Sequence, residues 1–90
     1  MSKLLKAAQA GTVESGDALV SLSPAEPGTG IQVELISPTM QQYGAHIKEL
    51  IKSILIEAGI TDAKVYANEK GALDYAIEAR VKTAIARANN

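Results

Sequence analysis

Apolar positions along the chain switch between two spacings, and each switch marks an element. Ala18, Val20 and Leu22 recur every second residue, as do Ile31, Val33 and Leu35, the rhythm of strands with one buried face. Between these runs lie Pro24, Ala25, Glu26, Pro27, Gly28, Thr29 and Gly30, rich in turn formers, so the spacing predicts an antiparallel hairpin. The rhythm then lengthens. Tyr43, Ile47, Leu50, Ile51, Ile54, Leu55 and Ala58 form an amphipathic stripe, predicting a helix that opens at Ser37 and Pro38 and runs to about Ala58. Gly59 is placed to end it in the left-handed conformation, with Ile60 supplying the apolar contact that accompanies such a stop. A strand over Lys64–Asn68 follows. A second helix runs from after Gly71 to about Ala88, with Leu73, Ala76, Ile77, Val81, Ala84 and Ile85 on its inner face.

The start of the chain is less regular. Leu and Lys scatter over Met1 to Gln9 without a period, which predicts a loosely held, flexible arm pairing at a sheet edge. From Thr12 to Ser23 apolar and β-branched residues alternate across Glu14, Ser15, Gly16 and Asp17, predicting a short strand, a tight turn and a second strand. The 90 residues support one core, hence a single domain over the whole chain. The expected fold class is α+β: a small two-layer sandwich, with a mixed three- to four-stranded sheet carrying both helices on one face. If the strands flanking the first helix are parallel neighbours, their crossover falls under the right-handed rule.

Composition narrows the chemistry. Apolar residues make up 47%, with three Tyr and no Phe or Trp, so the core must be aliphatic. Nine Lys and Arg against ten Asp and Glu leave a net charge of −1, without the basic stripe and stacking aromatics that nucleic acid requires, so no nucleic-acid partner is expected. No apolar run approaches a bilayer span and the start is too short and polar for a secretory signal, so no membrane partner and a cytoplasmic location are expected. Cysteine is absent, so any thiol chemistry must come from an attached group.

Catalytic candidates are few. His46 flanks the first helix and has no second His or Cys to complete a common zinc site, so it reads as a helix-surface residue and no metal site is expected. Glu14 and Asp17 bracket Ser15, but two acids on a turn ordinarily serve the turn itself. The glycines lack the strand, glycine-rich turn and helix order of a phosphate-binding fingerprint. Asp74, after Lys70, Gly71, Ala72 and Leu73, is favourably placed at the positive end of the second helix. Ser15 has no evident base or oxyanion donors, so it is better suited to presentation to another enzyme than to catalysis, and no catalytic residue is assigned.

The run Ala10, Gly11, Thr12, Val13, Glu14, Ser15, Gly16, Asp17, Ala18 and Leu19 resembles the prosthetic-group motif of citrate lyase acyl carrier (gamma) subunits. Lys70 to Asp74, with Ala79, Arg80, Ala86, Arg87 and Ala88, resembles that family's final helix, so the resemblance covers essentially the whole chain. It implies that Ser15 carries a 2'-(5''-phosphoribosyl)-3'-dephospho-coenzyme A group through a phosphodiester. The terminal thiol of that arm would hold acetyl and citryl thioesters. Implied partners are the citrate lyase alpha (acyltransferase) and beta (lyase) subunits and the holo-carrier synthase that installs the arm. Glu14, Gly16 and Asp17 are then candidate recognition residues. The carrier of malonate decarboxylase shares the Ser-Gly-Asp turn and is the alternative; a passive assembly module and a stand-alone enzyme are the competing classes.

Overall fold

The computed structural model describes residues 4–90. Strands β1 (Ala8–Ala10), β2 (Ala18–Pro24) and β3 (Ile31–Ile36) precede helix α1 (Met40–Glu57), strand β4 (Ala63–Glu69) and helix α2 (Asp74–Ala88). The expected α+β class holds: one four-stranded mixed sheet, ordered β1-β2-β4-β3, packs two helices on a single face. Ala18, Val20 and Leu22 of β2 and Ala63, Val65 and Ala67 of β4 are buried on that face, against Ile47, Ile51, Ile54 and Leu55 of α1 and Ile77, Val81 and Ala84 of α2. Each fully buried aliphatic side chain contributes about 1.5–3 kcal/mol, so this aliphatic layer is what holds the sheet and helices together.

The predicted hairpin between β2 and β3 does not form. β4 lies between them, antiparallel to β2 (Val20 opposite Ala67) and parallel to β3 (Val33 opposite Val65). The turn formers of Ala25–Gly30 instead cross the start of β4, where the Asp62 carboxylate accepts from the backbone N–H of Gly28 (2.9 Å) and Gly30 (2.8 Å). The parallel β3–β4 pair, connected through α1, meets the condition for the crossover rule.

Two further expectations shift. No strand forms over Thr12–Glu14; the strand before the turn is Ala8–Ala10, paired antiparallel with Val20–Leu22 at the sheet edge. Met1, Ser2 and Lys3 of the expected arm lie outside the described residues, but Leu4 is buried and the Lys6 N–H bonds the Ala88 carbonyl at 3.2 Å. Tyr43 and Leu73, assigned by spacing to inner helix faces, are 57% and 62% exposed. Tyr43 lies in the first turn of α1 and Leu73 immediately precedes α2, and both line an open groove beside Glu69 at the end of β4. The stop of α1 is as expected: the N–H of Gly59 bonds Ile56 O and that of Ile60 bonds Leu55 O, both 2.9 Å, and Ile60 is buried.

Candidate functional site

Ser15 sits at the tip of a β-turn whose first and fourth residues are Glu14 and Asp17, joined by the Asp17 N–H to Glu14 carbonyl bond of 3.0 Å. Gly16 has φ +84° while every non-glycine residue described has negative φ. A positive φ confined to the third residue is the requirement of a type II turn, which explains the glycine after the serine. A Cβ at Gly16 would meet nothing within 4 Å, so space is open around the tip.

The base of this turn is tied on three sides. The Gly16 N–H donates to Lys70 O (2.7 Å) and the Lys70 N–H to Asp17 O (2.9 Å), fastening the turn to the end of β4. Arg80, on α2, donates to Asp17 through Nε to Oδ1 and Nη2 to Oδ2, both 2.9 Å, a bidentate fork. Thr12 donates to Asp17 Oδ2 (2.7 Å), and the Ala18 N–H donates to Oδ1 (2.7 Å). This donor set, with the Arg80 guanidinium foremost, holds the Asp17 carboxyl well below the usual carboxylate range. The Arg80 pKa moves up through the same pair.

Of the residues singled out by sequence, the structure brings Glu14, Ser15, Gly16 and Asp17 onto one turn and gives them different surroundings. Ser15, Glu14 and Gly16 are exposed; Asp17 turns inward, its side chain 16% exposed. His46, read as a plain helix-surface residue, is exposed but paired: its Nε2 lies 2.7 Å from Asp74 Oδ2 and ties α1 to the start of α2. No group of three or more potential metal ligands occurs among the described residues.

Sequence reading did not find Glu69 or the role of Arg80. Glu69 is 2% exposed, accepting from Ser37 Oγ at 2.6 Å and from the Ala72 N–H, so it secures the strand end that holds the turn. Arg80 stands 63 positions from Asp17, and only its place beside the buried stripe residues Ile77 and Val81 hinted that its charge had a partner.

Among known proteins, residues 5–88 match the family profile described as malonate decarboxylase delta subunit (MdcD). The citrate lyase acyl carrier protein of Rhodopseudomonas palustris is 45% identical over 96% of this chain and 87% of its own. That of Albidiferax ferrireducens is 44% identical over 94% and 86%. A chain in the crystal structure of a Pseudomonas malonate decarboxylase hetero-tetramer in complex with malonate shares the fold, with a TM-score of 0.74 over 97% of this chain and 88% of that one, at 21% identity. By these matches the chain belongs to the citrate lyase acyl carrier protein family, within the group whose profile carries the malonate decarboxylase delta-subunit description.

Proposed function

We propose that this chain is the acyl carrier subunit of a citrate lyase and that Ser15 is the attachment point of its prosthetic arm, 2'-(5''-phosphoribosyl)-3'-dephospho-coenzyme A. The observation that carries the reading is the contrast within the turn. Its base is fixed to β4 and α2, while the Ser15 hydroxyl stands exposed at the tip with no hydrogen bond among the described residues. A primary hydroxyl in open space fits a phosphodiester, and the neighbouring Gly16 adds no side chain to obstruct the enzyme that forms it. When bound, the arm supplies the thiol that this cysteine-free chain lacks, carrying acetyl and citryl groups as thioesters.

The remaining work of the chain is positional. Glu14 and Gly16, exposed beside the serine, form the surface read by the holo-carrier synthase and by the alpha and beta subunits. Asp17 acts through the turn: its carboxylate is committed to Arg80, Thr12 and Ala18 and braces the tip at a fixed place on the fold. The chain itself is non-catalytic, and tethering holds the thioester at a high effective concentration for both partner active sites, which lie in the cytoplasm. The family profile and the Pseudomonas fold match favour a malonate decarboxylase-type carrier as the second reading.

The test is the intact mass of the chain after co-expression with the arm-installing enzymes, alongside Ser15→Ala. One added arm, absent from the variant, is the expected result. A bare chain in both, with the enzymes active on a known carrier, overturns the reading in favour of an assembly module. Adding the loaded chain to carrier-depleted citrate lyase and malonate decarboxylase then separates the two carrier readings by which activity returns.

A further inference from the structure

The two apolar side chains that spacing placed inside, Tyr43 and Leu73, flank a groove of about 810 Å³ between the N-terminal ends of α1 and α2. Ile47 and Ala72 add to its apolar lining, and Thr39 and the His46–Asp74 pair supply polar groups. That volume lies in the range of small-ligand sites, about 300–1,000 Å³. Its carboxylates are already engaged, Glu69 by Ser37 and Ala72 and Asp74 by His46, so the groove offers a largely apolar surface with a few hydrogen-bonding points.

The groove adjoins the Ser15 turn. The Gly16 N–H bonds Lys70 O, and the residues on either side of Lys70, Glu69 and Gly71, are both groove wall. With Cα atoms about 3.8 Å apart along the chain, that wall begins within about 10 Å of Ser15.

We propose that this groove is a resting site for the distal, pantetheine end of the arm carried by Ser15, an inference that rests on the carrier reading above. Pantetheine is neutral, aliphatic and amide-bearing, which matches an apolar lining with scattered hydrogen-bonding groups. The groove's own lining exposes two large apolar side chains, Tyr43 and Leu73, whereas a stable protein interface takes about 800 Å² from each partner. Tethering lowers the affinity required: an arm fixed beside the groove acts at an effective concentration in the millimolar range, so even millimolar binding keeps the arm docked for a large part of the time. Docking there shields the thioester from water between visits to the partner active sites.

The decisive experiment is an amide NMR titration of the bare chain with S-acetylpantetheine, compared with Tyr43→Ser/Leu73→Ser. Both substitutions are at exposed positions; Leu73→Ser alone serves if the double variant melts early. The expected result is saturable shifts at Gly71, Ala72, Leu73 and Tyr43 with a millimolar Kd, lost in the variant. In the loaded chain, hydroxylamine should cleave the acetyl thioester about two-fold more slowly than free S-acetylpantetheine, and the variant should remove that protection. Absent shifts at the groove, or groove shifts produced only by a partner subunit, overturn the proposal. The bare-chain titration does not depend on Ser15 loading, so a failed mass gain would overturn the carrier reading and leave the groove result to stand or fall separately.

Discussion

Two loops at opposite ends of β4 look alike in sequence and differ in construction. Both contain glycines, an acid and a hydroxyl residue, and both are held by an aspartate that accepts from backbone N–H groups. In the Ala25–Gly30 loop the aspartate comes from outside. Asp62 clamps Gly28 and Gly30 from the start of β4, and Thr29 bonds Glu26 O through both its N–H (3.1 Å) and its hydroxyl (2.7 Å), so the loop closes on itself. In the Ser15 turn the aspartate belongs to the turn and reaches away from it, to Arg80 on α2. A clamp directed at the base leaves the tip free, and only this loop displays an unengaged serine at a fixed location.

The most damaging way to break that arrangement is at Gly11, where the chain passes under the turn. A Cβ there would lie 1.8 Å from Ala18 O, and the backbone has φ +94°. The steric cost of positive φ and of overpacking adds to about 3 kcal/mol or more for Gly11→Ala, read as a lower denaturant midpoint at unchanged slope. Gly16→Ala meets no such contact, so only its φ is strained and the loss should be about 1–2 kcal/mol. Comparable losses at the two positions would show that Gly11 does not lie close against the Ala18 carbonyl as described.

Breaking the Asp17–Arg80 fork tests the clamp more directly. Asp17→Asn should lower stability at neutral pH and slow arm loading, because the tip is no longer held in place. Arg80→Ala should do the same without touching the turn's own sequence. Acid gives an independent signature. The Asp17 carboxyl has a folded-state pKa depressed below its unfolded value, so its contribution is complete above about pH 4 and is lost as pH falls toward the folded value. The stability gap between the wild-type chain and Asp17→Asn should therefore narrow below about pH 4 in acid-unfolding curves; a constant gap would mean the carboxylate charge is not what braces the turn.

These contrasts also explain what could be read from sequence. The inner faces of β2 and β4 and the stripe from Ile47 to Leu55 obey short-range periods, and their burial follows from spacing alone. The turn around Ser15 was legible because a turn is local and its residues adjoin one another. The strand order was not, since β2 and β3 carry the same rhythm whether they pair directly or across β4; what excludes the hairpin is β4 itself, more than 25 residues further along the chain and paired to both. The fork between Asp17 and Arg80 lay beyond reach for the same reason: a charge pair 63 positions apart leaves no periodic trace. Tyr43 and Leu73 were misplaced because spacing carries an amphipathic stripe to the end of a helix, where the fold leaves an open groove beside the end of β4.

The smallest expected effect sharpens the comparison most. Asp62→Asn keeps the side chain's shape but weakens the acceptor for Gly28 and Gly30, whose N–H groups, Gly30's foremost, hold the Asp62 carboxyl below its ordinary pKa. The loop is exposed and still closed by Thr29, so the thermal midpoint should fall only slightly, by less than for Asp17→Asn. Arm loading at Ser15 should be unchanged, because β4 separates the two loops and the turn's own clamp is intact. The check is loading rate by intact mass for Asp62→Asn and Asp17→Asn side by side. A parallel slowing in both would mean that global stability, rather than the local brace, governs presentation of the serine; slowing in Asp17→Asn alone assigns that role to the fork on α2.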